Sequence, residues 1–437
     1  MSATTRRTFL GTMGASAMVL PRQILGGTGY RAPSDRVNIA GVGVAGVGKN
    51  YIKGVNSENI MALCDVDMER VQPVFQTYPD ARQYQDYRKM LDELPDIDAV
   101  VIGTPDHSHA VIAMEALRRG KHVYCAKPVT RTVGEARILT EYAVKTGLAT
   151  QMSTQQNATE EHRLIAEWIQ EGAIGDVSEV QIWSNRPIWP QGIERPGEVP
   201  ACPGTLDWDL WIGPAQWRPY HPAYHPFKFR GWYDFGTGAL GDMGCHHFDP
   251  VFRALKLGHP TTVHASSTRL FDETFPVATI VHYDFPARAG MVPVRVTWYD
   301  GKLQPPRPKE LDESIRMGGN SGGILFIGTE GKLMVDDTSK NPRLLPESLS
   351  RSYGKPKAVI PRSIGHYKEW IAACQGGEHA GVHFEYGGPL TEAVMLGNVA
   401  VRTGKTLHWD PKNMTCGSPE ADALLSEPYR YGWSLDG

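Results

Sequence analysis

The chain predicts an α/β fold in two parts: a doubly wound parallel sheet, then an α/β domain built on a mostly antiparallel sheet. Three observations predict it. Up to about residue 150, short apolar runs alternate with helical segments, the mark of strands buried on both faces. A glycine-rich turn follows the first run, at the edge where such a sheet meets its ligand. Beyond residue 150 apolar residues alternate singly with polar ones, as in strands with one face against a core. At 437 residues the chain exceeds a single core. The expected division is a leader and linker over 1–34, a first domain over 35–150, a second over 151–410 and a tail over 411–437.

The first strand is VNIAGV (37–42). Gly41, Gly43 and Gly46 then fit G-x-G-x-x-G, and a helix runs on to Val55. In that pattern the first glycine turns the chain, the second admits a pyrophosphate and the third brings helix against strand. A second strand, IMALC, ends at Asp65, nineteen residues beyond Gly46. A carboxylate there accepts ribose hydroxyls and repels a ribose phosphate, and no arginine immediately follows it. The expected cofactor is therefore NAD rather than NADP. DAVVIGT (98–104) is a third strand, a helix starts at Asp106, and KHVYC (121–125) is the next strand. Thr104-Pro105 and Lys127-Pro128 fall just past strand carboxyl ends, where doubly wound sheets bind ligands. In such a cleft the Lys127 ammonium can hydrogen-bond a substrate hydroxyl; outside it, Lys127 is a surface lysine before a proline. His109 is expected to pack or cap the first turn of its helix, and His107 to be exposed or to line the site.

After Ala149 an amphipathic helix (160–172) leads into the strand SEVQIWSN. TTVHASSTRL, VATIVHYDF, MVPVRVTWY, GILFIGT and KLMVD continue an antiparallel sheet, and helices over 366–374 and 390–404 close the fold. Residues 186–235 form a long connection dense in Trp, Tyr, His and Pro. Aromatic faces suit sugar C–H surfaces, and Arg or His donors suit hydroxyls, making Arg230, Trp232 and Tyr233 candidate substrate contacts. Trp208 and Trp211 are read as packing. Residues 301–320 are expected to be a mobile lid.

Charged residues make up 21% and the formal net charge is -3, which favours neither nucleic acid nor a membrane surface and leaves a small molecule as the partner. Arg6-Arg7 precede the apolar run Phe9–Leu20, too short to span a bilayer. This is a twin-arginine export pattern. It implies passage through the twin-arginine translocase as a folded protein, a periplasmic address and no membrane insertion after cleavage between about Ala17 and Ala32. Six scattered cysteines offer no C-x-x-C zinc knot. His221 and His225 lack a coherent carboxylate set, and no metal is expected.

Residues 236–249, GTGALGDMGCHHFD, place Asp242, His246 and Asp249 on one helix face. Carboxylates one turn to either side can set the imidazole's tautomer and raise its basicity, and Gly241 and Gly244 leave room for a flat ligand. His247 and Asp249 are further substrate candidates. The plain alternative is a helix packed through small residues with a satisfied buried histidine.

Together the glycine turn with Asp65, Thr104-Pro105 with His109, Lys127-Pro128 and GTGALGDMGCH resemble the Gfo/Idh/MocA oxidoreductases, the relatives of glucose–fructose oxidoreductase and inositol dehydrogenase. The match runs in order over about residues 36–410. The resemblance implies a Rossmann domain and a second α/β domain whose large open sheet often makes homo-oligomers. It also implies that Thr104, Pro105, His109, Lys127 and Pro128 border the cofactor, with Lys127, Asp242 and His246 as the catalytic set. One departure is Ala126, where the family usually has Glu. The implied activity is NAD-dependent oxidation of a sugar, glycoside or cyclitol hydroxyl. Because a periplasmic enzyme has no nicotinamide pool, the cofactor is expected to stay tightly bound. Two alternatives are an NAD-dependent glycosidase working by transient oxidation, elimination, hydration and reduction, and a non-catalytic sugar sensor.

Overall fold

The first sheet consists of β1 (Asn38–Val42), β2 (Asn59–Cys64), β3 (Arg82–Tyr84), β4 (Ala99–Ile102), β5 (His122–Cys125) and β6 (Thr150–Met152). Its order is β3-β2-β1-β4-β5-β6, all parallel. The order reverses beside β1, and the crevice that opens there at the carboxyl ends is where the glycine turn lies. This computed structural model describes residues 35–435. The twin-arginine stretch lies outside them. Among the described residues no helix is long and apolar enough to cross a membrane.

The helices of this half follow from local chemistry. Helix α1 (Gly48–Gly54) leaves the glycine turn, and α2 (His109–Arg118) packs eight buried residues against the sheet. The expected start at Asp106 is a single tight turn, Asp106–Ser108, before α2. Helix α3 (Val133–Thr146) has a reciprocal cap, Thr132 to Glu135 and back, and ends at Gly147 with φ 64°.

The second sheet holds β7 (Val177–Ser184), β8 (Thr262–Ser267), β9 (Thr279–Phe285), β10 (Val294–Tyr299), β11 (Gly322–Gly328), β12 (Lys332–Asp336), β13 (Lys340–Leu345) and β14 (Leu407–His408). Its order is β13-β12-β11-β7-β10-β9-β8-β14, antiparallel except for β7 with β10. Strand β9 alternates buried and half-buried residues along its length, so one face meets the core. Helices α4 (Glu160–Gln170) and α5 (Gly238–Leu255) cover that face, α6 (His366–Cys374) follows, and α7 (Phe384–Thr403) joins the halves by packing on α3, α5, β8 and β9. Arg137 on α3 grips the buried Glu392 of α7 through two hydrogen bonds of 2.8 Å.

Helix α7 begins six residues earlier than expected, because Pro389 sits inside it. Residues 301–320 are not a free lid: Leu311 and Met317 are buried with Trp183 and Met334 on the sheet. Strand β6 straddles the boundary placed at residue 150.

Candidate active site

Strand β1 delivers the glycine turn. Gly43 has φ 73°, and a Cβ there would stand 2.6 Å from the Thr104 amide nitrogen, so only glycine fits. Close helix-to-strand approach is made by Gly48, whose Cα lies 2.5 Å from where a Gly103 Cβ would be. Gly46, assigned that role from the motif, faces open space instead. A ligand can therefore reach the backbone at Gly46. Gly41 is packed on Val44 and Ile52. Asp65 accepts from the Ala45 amide at 2.8 Å and the Asp67 amide at 3.1 Å. Burial nonetheless keeps its pKa above the ordinary carboxylate value.

Gly43, Gly46, Asp65, Thr104, Pro105 and Ser108 line a crevice open to solvent. Its donor-rich turn, open glycine and strand-end carboxylate fit a dinucleotide. Sequence reasoning did not foresee its roof. Trp211, His225, Pro226 and Phe227 of the long connection and Trp433 near the carboxyl terminus line the crevice opposite the glycine turn's strand ends. His225 Nε2 lies 2.8 Å from Asp67 Oδ2, and backbone bonds Met68 to Thr205 and Asp207 to Val66 stitch the connection to the exit of β2. Arg70 also lines this crevice, although no arginine adjoins Asp65 in sequence.

Beside the crevice lies a second cavity, lined by Tyr51, Asp106, His109, Ala126, Lys127, Ser153, Arg230 and His246, among others. Val47, Thr104 and Arg230 border both spaces. Lys127 Nζ donates to Asp242 Oδ1 at 2.9 Å and also to the Asp242 carbonyl. Arg230 Nε donates to Oδ1 at 3.0 Å, and Arg186 Nε stands 3.6 Å from Oδ2. Burial opposes ionisation of Asp242, but Lys127 and Arg230 outweigh it and hold the carboxyl well below its usual range. His246 is partly buried, and burial followed by the Lys127 charge lowers its pKa to about 3. The ring is neutral at ordinary pH.

The carboxylates expected to orient His246 are engaged elsewhere. Asp242 serves the cations, and Asp249 accepts from Asn157 at 2.7 Å and Tyr386 at 2.8 Å, with His162 Nε2 at 3.4 Å. The imidazole instead meets Gln156, Nδ1 to Oε1 at 3.1 Å. Gly241 and Gly244 make room for protein rather than ligand, since added Cβ atoms would strike Thr237 and Val394.

Of the substrate candidates Arg230, Trp232, Tyr233, His247 and Asp249, Arg230 lines this cavity, held against the Phe227 and Phe229 rings. Trp232 is buried, its indole donating to the Ala223 carbonyl at 2.8 Å. Tyr233 packs on Phe275 beneath Arg402. His247 is buried against Trp298, its Nδ1 3.1 Å from the Met243 carbonyl. His109 bridges the two strand-exit turns, with ring nitrogens 2.8 Å from the Pro128 carbonyl and 2.9 Å from that of Thr104. His107, expected exposed or at the site, is buried between the Trp211 and Phe235 carbonyls. Trp208 and Trp211 stack at 4.6 Å. At Ala126 no carboxylate is present, and the Ser153 hydroxyl accepts from the Lys127 amide at 3.0 Å while pairing with Tyr51 at 3.0 Å.

A doubly wound sheet with a dinucleotide crevice, joined to a Lys–Asp–His cavity on a second sheet domain, defines a nucleotide-dependent oxidoreductase class. Residues 36–154 match the model of the oxidoreductase family NAD-binding Rossmann fold, and 177–274 match its C-terminal alpha/beta domain. The chain belongs to the Gfo/Idh/MocA oxidoreductase family. It is 34% identical over 169 residues to a levoglucosan dehydrogenase of Pseudarthrobacter phenanthrenivorans, 38% of this chain and 34% of that protein. It is 28% identical over 155 residues to a glycosyl hydrolase family 109 protein of Shewanella pealeana, 33% of this chain and 34% of that protein. The chain thus spans about a third of the length of the curated relatives it matches. The fold is shared with the WlbA dehydrogenase from Bordetella pertussis, solved with NADH and UDP-GlcNAcA, at TM-score 0.60 and 17% identity over 86% of this chain and 99% of that one.

Proposed function

We propose that this protein is an NAD-dependent oxidoreductase acting on a hydroxyl of a sugar, glycoside or cyclitol. The observation that carries the reading is the convergence of Lys127, Asp242 and neutral His246 on a cavity that shares Val47, Thr104 and Arg230 with the dinucleotide crevice. Bound NAD supplies the hydride acceptor. His246 takes the hydroxyl proton, Lys127 holds the same oxygen and stabilises its developing charge, and Asp242 fixes the ammonium between its carboxylate and its carbonyl.

The roof over the crevice supports a cofactor that stays bound and returns to its starting state in each cycle. That suits the periplasmic address, and the route through the twin-arginine translocase, which we propose from Arg6-Arg7. From the family resemblance we also propose that the chain assembles into homo-oligomers through the second sheet. Retention is compatible with two outcomes: one sugar oxidised while another is reduced, or glycoside cleavage by oxidation, elimination, hydration and reduction. The similarity to a glycosyl hydrolase family 109 protein keeps the second in view.

The test is to incubate the purified protein, without added NAD, with nitrophenyl glycosides and free sugars in deuterated water. Oxidised sugar without aglycone release, especially with a second sugar reduced, supports the oxidoreductase. Aglycone release with deuterium beside the oxidised carbon supports the glycosidase. Ligand binding with neither product, unchanged in His246→Ala, overturns both in favour of a sensor.

A further inference from the structure

We infer that Gln156 is the positioning residue that sets the tautomer of His246, leaving Nε2 as the proton acceptor. The inference rests on the reading of His246 as the base. Gln156 holds this residue at two points. Its Nε2 lies 3.0 Å from the His246 carbonyl oxygen, and its Oε1 lies 3.1 Å from His246 Nδ1. A carbonyl oxygen only accepts, so the amide nitrogen of Gln156 must be the end that faces it. The opposite end is then Oε1, which also only accepts. His246 Nδ1 must therefore carry the proton, and the lone pair is on Nε2.

The platform beneath Gln156 is equally determinate. Gln156 sits on the tight turn Gln155–Ala158, whose Asn157 is fully buried. Asn157 Nδ2 donates to Asp249 Oδ1 at 2.7 Å, and its Oδ1 accepts from Arg253 at 3.2 Å, both partners on α5. The turn is thereby bolted to the helix that carries His246. Asp249 thus acts on the imidazole indirectly, by placing the turn that presents the amide. The charged or titratable groups that influence His246 are Lys127, Asp242, His247 and Asp249. The group touching its Nδ1 is uncharged, an arrangement that orients the ring without favouring the imidazolium.

The test uses the full protein with its cofactor. The imidazole nitrogens of 15N-histidine-labelled protein are read by NMR without substrate, with His246 assigned by loss of its signals in His246→Asn. Wild type is expected to show Nδ1 protonated and Nε2 bare at neutral pH. Gln156→Met is expected to mix the tautomers and to lower kcat about tenfold or more with KM little changed, short of the roughly 10²–10⁴-fold cost of losing the base. Gln156→Glu keeps an acceptor oxygen, preserves the tautomer and moves the acid limb of kcat/KM to higher pH. A wild-type Nε2–H tautomer, or an unchanged tautomer in Gln156→Met, overturns the inference. Because the NMR reading needs no turnover, it stands apart from failure of the proposed activity.

Discussion

The two spaces that meet at Arg230 are built differently. The crevice at the carboxyl ends of β1 and β2 is walled by Val42, Val47, Val66, Ile112 and Leu210 and roofed by Trp211 and Trp433. The neighbouring cavity is bordered by Lys127, His246, Asp106 and Tyr51, with Asp242 behind the lysine. Apolar walls and a stitched roof hold a ligand by excluding water, whereas converging charges and a neutral imidazole handle protons. On the reading proposed above, the contrast assigns retention of the cofactor and chemistry on the substrate to separable residues within one cleft.

The sharpest way to break that division is a reciprocal pair of substitutions. Lys127→Met is expected to lower kcat by roughly 10²–10⁴-fold while the purified protein keeps its cofactor. Gly43→Ala should do the reverse. Its Cβ would meet Thr104 backbone atoms at 2.6 and 2.8 Å in a conformation with φ 73°, so bound NAD is lost and the Lys127–Asp242 pair is left standing. Cofactor content by absorbance and turnover at saturating NAD are the two readouts. Loss of cofactor in Lys127→Met would show that the two spaces act as one.

A smaller effect is expected at the roof. His225→Ala removes the 2.8 Å bond to Asp67, and Trp433→Ala removes a ring stacked under the Arg88 guanidinium at 4.8 Å. Loss of one such contact is worth about 1.4 kcal/mol, or roughly tenfold in cofactor release. Fluorescence-monitored release should quicken by that order in each variant, with turnover restored by added NAD. Unchanged release would move the retaining element elsewhere.

How much of this contrast was legible depends on the range of the interactions involved. The crevice floor follows from period and punctuation: β1, the glycine turn, β2 and Asp65 are consecutive, and every cue is local. Even there the turn runs two residues longer than the motif implies, so Gly48 rather than Gly46 meets Gly103. Lys127 and Asp242 lie 115 positions apart and came from separate motifs, whose pairing only the fold supplies. Gln156 carries no local signature, because its role exists only once the Asn157–Asp249 bond docks its turn on α5. The roof was similarly hidden: in the sequence Trp211 reads as packing, His225 is weighed only as a metal ligand and Trp433 carries no cue, because the chain returns across β2 only in the fold. Helix α7 starts six residues before the expected position, because Gly387-Gly388-Pro389 is a local turn signal that packing between the two halves overrides.

The remaining prediction concerns pH, and it bears on whether the cavity or the fold fails first in acid. Burial, the leading cause in each case, lowers His107, His247 and His366 to about 4 from an ordinary 6.5. Between those values the unfolded chain binds protons that the folded chain refuses, so stability is complete above about pH 6.5 and falls as pH drops towards 4. Each histidine contributes a slope of about 1.4 kcal/mol per pH unit. Asp300 opposes one of them, because burial raises its carboxyl to about 6 and the folded state takes up that proton first. His246 adds to the slope in the same sense, so the buried histidines outnumber Asp300 and stability still falls as pH drops below 6. His246, held to about 3, is still neutral across this window. Activity should consequently disappear in acid together with the folded state rather than by protonation of the base. Calorimetric Tm and activity, measured on the same samples from pH 7 to 4, should decline together, whereas activity lost while Tm holds would place a titrating group inside the cavity.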